Sequence, residues 1–250
     1  MSKPPSAAST LLFAAVVCLA CSLVVTGSRV LLRSRQLANS EQHRQRNVLV
    51  AAGLAEADER LSATAINERF APITALVWDT VERRLVDGLD RDQVQLRPQM
   101  VPAPDGAPGL REMPRHLVLY RLPPTDDQAT RYVLPVWGRG LWSMLYAYLT
   151  IDTDGVIHGV SFYEQQETPG LGGEISNPRW AATWEGVRAY DDDGTVIFSL
   201  VGSTASGPER QVMTLTGATL TSRGVNALVR YWLGPLGYRR LLLPDEEDPS

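Results

Sequence analysis

Lysine is almost missing from this sequence: Lys3 is the only one, and every other cationic side chain is an arginine or a histidine. Schiff-base catalysis and Walker-type phosphate binding both need a lysine, so neither has its residue beyond the extreme N-terminus. Histidine is nearly as scarce. His43, His116 and His158 are scattered without ligand spacing, and the two cysteines, Cys18 and Cys21, both lie in an apolar run. A zinc or iron–sulfur centre built from this chain alone is therefore not expected, and no metal ligand is assigned. Positive charge is in deficit as well, with 24 Lys+Arg against 28 Asp+Glu and a net charge of −4. That balance offers no basic face for nucleic-acid phosphates. There is no G-x-S-x-G elbow and no histidine beside a nucleophile, which makes a hydrolase the weakest reading.

What is present suits one large domain or two small ones, since 250 residues at 44% hydrophobic can bury a sizeable core. Residues 4–28 carry no charge, and Ala7–Thr26 (AASTLLFAAVVCLACSLVVT) is about the length that spans a hydrocarbon core as a helix. The run reads as a retained membrane anchor rather than a cleaved signal peptide, because it is full-length and flows into a helical pattern. Cys18 and Cys21 then act as small apolar side chains, since a thiol in lipid stays protonated. Lys3 precedes the run, whereas Arg29, Arg33 and Arg35 follow it closely. Counted alone, that bias puts the remaining chain in the cytoplasm.

Residues 36–70 show apolar positions at helical spacing, read as two helices joined near Gly53. The stretch 91–128 is proline-rich and suits a surface excursion with one strand, HLVLYRL, inside it. From Tyr132 the pattern turns to strands: YVLPV, SMLYAYLTI, GVIHGVSFY, VRAY and TVIFSLV, with Asp-Gly turns at Asp154-Gly155 and Asp193-Gly194. Asn226–Leu233 returns to helical spacing and closes the domain, and the acidic end PDEEDPS reads as a solvated tail. The organisation expected is an anchor over 1–35, a helical connector over 36–70, one domain over 71–243 and a tail over 244–250. The fold class expected is α+β with a mainly antiparallel sheet.

Two segments carry candidate chemistry. In Glu167–Ile175 (ETPGLGGEI) three glycines after a proline let the backbone come close to a flat or anionic ligand; a plain glycine turn fits the spacing equally well. It is not G-x-G-x-x-G and does not open a crossover helix, so it is no dinucleotide fingerprint. In Leu215–Ser222 (LTGATLTS) three threonines and a serine precede the closing helix. Free N–H groups and the positive end of the helix dipole favour a phosphate there, and a hydroxyl could be the oxygen of a phosphoester; an N-cap cluster without ligand is the alternative.

LTGATLTS resembles the flavinylation motif in which the threonine after Gly-Ala carries FMN through a phosphoester, a position held here by Thr219. Together with GRGLWSMLYAYL (138–149), FYEQQETPGLGGEI (162–175) with Trp180 shortly after, and RNVLVAAGL (46–54), the chain is similar to the C subunit of the sodium-translocating NADH:quinone oxidoreductase, from the anchor to the closing helix. Two positions depart from that pattern. Met213 stands where the motif usually has aspartate, and Gln165-Gln166 where His-Gly is common. The resemblance implies an FMN-binding domain whose covalent FMN on Thr219 is attached by a separate flavin transferase that uses FAD and a divalent metal. It serves as one stop in a relay from NADH to quinone among the other subunits. The domain would sit on the periplasmic side of a bacterial inner membrane, against the arginine count. Thr168, Gly170, Leu171, Gly172 and Glu174 would lie along the isoalloxazine or ribityl, and Leu215, Thr216, Gly217 and Ala218 would shape the phosphate end. Trp142 is a possible ring contact, with a buried core tryptophan as the alternative. No acid–base residue is then needed, and none is assigned as catalytic. The G subunit of an Rnf-type ferredoxin:NAD oxidoreductase shares the TPGLG and GAT motifs, and a membrane-anchored module with a non-covalent ligand is the reading from another class.

Overall fold

The computed structural model describes residues 7–124, 129–201 and 211–244, without the side chains of 7–10 and 28–38. The acidic end from 245 and the side chains of Arg29, Arg33 and Arg35 lie outside what is described. The chain divides into two compact units, Met1–Arg44 and Gln45–Ser250.

The first unit is helical, the leading part of a helix α1 that runs unbroken over Ala7–Ala51. Its apolar side chains from Leu11 to Val25, including Phe13, Leu19 and Leu23, are exposed. Among the described residues no helix is long and apolar enough to cross a membrane; the described side chains of the apolar run end at Gly27.

The second unit begins with the end of α1. The helix stops where Gly53 takes a left-handed φ of 70° and Leu54 N–H reaches back to the Leu49 carbonyl at 2.8 Å, a closing pattern that favours glycine. A short helix α2 (Ala63–Phe70) follows, capped by Ser62 Oγ, which accepts from Ala65 N at 3.2 Å. Strands β1 (Thr74–Asp79) and β2 (Arg84–Leu85) come next, then helix α3 (Arg91–Leu96), a hairpin of β3 (Met100–Pro102) and β4 (Glu112–Pro114), and β5 (His116–Arg121). The long strands β6 (Arg131–Arg139), β7 (Met144–Asp152) and β8 (Ile157–Glu164) complete an antiparallel sheet in the order β2-β1-β5-β6-β7-β8. Beyond it lie α4 (Pro178–Ala181), a two-stranded parallel pair β9 (Leu200–Val201) and β10 (Val212–Met213), then α5 (Thr219–Leu233) and α6 (Arg239–Leu242).

Alternation along the strands gives the sheet two covered faces. Leu134, Val136, Leu145, Ala147, Leu149 and Ile151 share a core with Val225, Leu228, Val229 and Trp232 of α5, whose spacing is one helical stripe. On the other face Val118, Tyr120, Val133 and Tyr148 pack with Val48, Leu49, Ala51 and Ala52 of α1 and Ile66 of α2. The α1 end is also pinned by a polar contact: Thr150 Oγ1, fully buried, donates to the Ala51 carbonyl at 2.7 Å. A Cβ on Gly159 would lie 2.5 Å from that same carbonyl oxygen. Gly159→Val should therefore lift α1 off the sheet and cost about 1–3 kcal/mol as an overpacking change, read as a fall in midpoint in chemical unfolding.

The structure differs from the sequence reading in four places. The proline-rich stretch from residue 91, read with the single strand HLVLYRL, also holds α3 and the β3–β4 hairpin. The strand β1 lies inside the sheet, although its run TALVWD carries no strand signal of its own. VRAY and most of TVIFSLV form only isolated bridges, Val156 with Arg188 and Tyr190 with Val196, and just Leu200–Val201 pairs as a strand. The closing helix begins at Thr219, so Thr219, Thr221 and Ser222 belong to its first turn and do not precede it.

Candidate functional site

Three loops meet at the start of β7 and the start of α5. The first is the tip joining β6 to β7, residues 140–143, closed by Gly140 N–H donating to the Ser143 carbonyl at 2.8 Å. The second is the glycine loop after β8. There the Thr168 carbonyl accepts from both Leu171 N at 3.1 Å and Gly173 N at 2.9 Å, and Gly170 turns at φ 73°. The third is Leu215–Ala218, where Gly217 also turns at φ 73° and Ala218 N donates to the Leu215 carbonyl at 3.1 Å before the chain enters α5.

A buried carboxylate at the start of the glycine loop joins the tip to the first turn of α5. Glu167 is 5% exposed. Its Oε1 accepts from Trp142 N at 3.0 Å and Ser143 N at 3.2 Å, and Ser143 Oγ lies at 3.4 Å. Its Oε2 accepts from Leu141 N at 3.2 Å and from the Thr221 hydroxyl at 2.6 Å. Ser143 Oγ in turn accepts from Gln166 N at 2.8 Å. Every lone-pair direction is used, which is what a carboxylate out of water requires. Burial by itself would raise the Glu167 pKa; the Thr221 hydroxyl and the N–H groups of Trp142, Ser143 and Leu141 outweigh it and hold the carboxyl below its ordinary value. A depressed folded-state pKa stabilises the fold above the unfolded value of about 4.5, and that stability is lost as pH falls through the folded value. Thermal midpoints should thus drop on acidification below about pH 4.5, and less steeply in Glu167→Gln.

The first turn of α5 sorts its hydroxyls by direction. Thr221 is 1% exposed and bonded to Glu167. Ser222 is buried, and its Oγ accepts from Leu215 N at 3.2 Å. Thr219 points outward and makes no side-chain hydrogen bond among the described residues. The N-cap, Ala218, offers no side-chain cap, so the first-turn N–H groups are left open.

The expected site residues fall into two sets. Leu171 reaches Gly217, where an added Cβ would sit 3.0 Å from Leu171 Cδ2. Thr168, Gly170, Leu171, Thr216, Gly217 and Thr219 are exposed. Gly172 is buried, and its missing side chain faces Thr221 Oγ1 and Glu167, not open space. Glu174 is half-buried, and its Oε2 accepts from Asn177 Nδ2 at 2.7 Å, where Asn177 caps α4. Trp142 is 66% exposed and is no core residue. Leu141 and Leu171 on these loops, Met213 of β10 and Leu220 of α5 are further exposed apolar side chains. Met213 contributes its carbonyl, which accepts from Trp180 Nε1 at 2.9 Å, a contact independent of the side chain at that position. Glu167, Thr221 and Ser143 escape a reading of the sequence as site residues, because their partners are main-chain groups and distant hydroxyls that leave no spacing pattern.

The surface is open. A cavity of about 320 Å³ lined by Ala51, His158, Phe162, Ile175 and Glu185, and another of about 440 Å³ lined by Trp137, Tyr146 and Tyr163, contain none of the expected residues. Among the described residues no group of three or more His, Cys, Asp and Glu could hold a metal ion.

All three loops fall within residues 140–234, which match the FMN-binding domain family. The C subunit of the Na(+)-translocating NADH-quinone reductase from Yersinia pestis is 37% identical over 93% of this chain and 91% of its own length. The corresponding protein of Pseudomonas aeruginosa is 36% identical over 97% of both chains. The chain belongs to this family of C subunits. The crystal structure of Shewanella oneidensis NqrC superposes with a TM-score of 0.70 at 24% identity, covering 81% of this chain and 97% of that one, and so shares the fold. Within this member of the family, then, Glu167 is the hub of the loop cluster and Thr219 its outward hydroxyl.

Proposed function

We propose that this chain is the electron-carrying subunit of a membrane Na+-translocating NADH:quinone reductase and that it holds FMN as a phosphoester on Thr219. The observation that carries the reading is the Thr219 hydroxyl, exposed and unbonded on the first turn of an uncapped helix beside the glycine loop. When bound, FMN supplies the redox chemistry and the protein supplies position and electrostatics.

The residues present fit that group. Open first-turn N–H groups and the helix dipole hold a phosphate at Thr219. Gly170 has no atom within 4 Å of where a Cβ would be, so backbone can approach a flat ring there. Leu171 and Trp142 present apolar surface that excludes water from a ring face. Thr168 lies along the same loop, and Leu215, Thr216, Gly217 and Ala218 shape the phosphate end. Gly172 and Glu174 act from behind, through Thr221 and Asn177. An open surface buries little of a ligand, and a covalent tether offsets the resulting weak binding. A separate flavin transferase would form the Oγ–P bond with FAD as donor; AMP leaves and the hydroxyl proton is released.

The run Ala7–Thr26 serves as a single-pass anchor, which the exposed apolar side chains from Leu11 to Val25 support. The FMN domain lies on the periplasmic side, as the family resemblance implies, with partner subunits pinning the orientation against the arginine bias. The names of the Yersinia pestis and Pseudomonas aeruginosa relatives, both quinone-reductase C subunits aligned over nearly the full length, support this reading over an Rnf-type protein. Electrophoresis of the denatured chain, co-produced with a flavin transferase, tests it: a fluorescent band is expected, and a dark band favours a module with a releasable ligand.

A further inference from the structure

The buried carboxylate of Glu167 does more than fill space. Its five hydrogen-bond donors come from two segments: the β6–β7 tip at residues 141–143 and the first turn of α5 at Thr221. One of those segments carries the exposed indole of Trp142, and the other carries Thr219. Small residues keep the junction tight on every side. A Cβ on Gly140 would sit 2.6 Å from Glu167 Oε1, one on Gly172 2.5 Å from Thr221 Oγ1, and one on Gly224 would collide with the Arg139 carbonyl oxygen. Gly224 lets α5 lie directly on the Arg139–Gly140 backbone, and the Glu167 side chain ties residues 141–143 of the tip to Thr221 at the start of that helix.

We propose that Glu167 is a positioning residue of the flavin site, one that locks the tip bearing Trp142 against the helix bearing Thr219 so that the indole covers the ring of the FMN held there. The proposal rests on the reading that Thr219 carries FMN. Thr221 is the link on the helix side: its hydroxyl joins Glu167 to α5 and leaves Thr219 free to face outward. An indole stacked on a flavin quenches its emission, so the quenching reports the distance between tip and helix.

The test uses the full chain in detergent, co-produced with a flavin transferase, as wild type and as Glu167→Gln, Thr221→Val, Trp142→Phe and the pairwise combinations. Thr221→Val keeps the shape of the side chain and deletes only the link, which secures the test if Glu167→Gln folds poorly. Peptide mass first establishes FMN on Thr219, and emission per bound flavin is then compared. The expected result is a severalfold rise in emission in Thr221→Val and in Glu167→Gln, with no additional rise when either is combined with Trp142→Phe, because all remove the same contact. A flavin-bearing Thr221→Val variant with wild-type emission would overturn the role of Glu167 while leaving the Thr219 assignment standing. A wild-type chain without FMN on Thr219 would instead remove that assignment and this inference with it.

Discussion

Replacing Thr219 by valine should leave a folded chain with no covalently bound flavin. Valine matches threonine in size and branching and lacks only the oxygen that the phosphoester needs. The position is exposed, the hydroxyl has no partner among the described residues, and α5 is anchored by Val225, Leu228, Val229 and Trp232 further along. The stability change should thus stay within about 0.5 kcal/mol, as for other surface substitutions. In-gel fluorescence and thermal unfolding, measured on the same preparation, check both halves of this expectation. The neighbouring hydroxyls make the comparison sharp. Thr221 is buried and engaged by Glu167, so it cannot take over as acceptor without unmaking the loop cluster. Thr216 is exposed but lies outside the helix, away from its open first-turn N–H groups; persistent flavin in Thr219→Val would move the assignment there.

The second large effect is expected at Gly172. A valine there would put its Cβ 2.5 Å from Thr221 Oγ1 and 3.0 Å from Glu167 Cβ. Neither neighbour can yield freely, because Thr221 and Glu167 hold each other at 2.6 Å. Gly172→Val should therefore destabilise the domain by about 1–3 kcal/mol and reduce flavin loading by displacing the helix start. The glycine two residues earlier behaves differently. Gly170 faces open space, and Gly170→Ala meets only the left-handed backbone, at about 1 kcal/mol. Its flavin loading should stay near wild type. Denaturant midpoints and flavin-to-protein absorbance ratios for the two variants separate a tight junction from a flexible turn.

The contrast between these glycines shows what the sequence could and could not convey. Three glycines in a row of four announce a tight backbone, but not which of them faces a ligand and which faces a neighbour. That depends on Thr221, which arrives from a segment about fifty residues later in the chain. Hairpins were legible because their signals are local: the strand alternation of β6 to β8 and the Asp154-Gly155 turn, where Gly155 sits at φ 77° and the Asp152 carboxylate accepts from Asp154 N and Val156 N. The strand β1 was not, since a short apolar run such as ALVW has no period of its own. Its place is fixed by pairing with β5 across six residues. A motif singles out Thr219 as the proposed flavin acceptor, whereas no motif marks the contacts of Glu167, because main-chain N–H groups look the same in every sequence. The helix start was misread for a related reason. Thr and Ser favour positions before a helix, but here Thr221 bonds the distant Glu167 and Ser222 bonds Leu215 N of the preceding loop, both from inside the first turn, so the cap falls to Ala218.

The most direct measurement is the peptide mass spectrum of the full chain co-produced with a flavin transferase, with fragmentation across Leu215–Ser222. The account predicts an added mass equal to FMN less one water, localised by fragment ions to Thr219. An unmodified peptide, or a modification localised to Thr216 or Thr221, would contradict it.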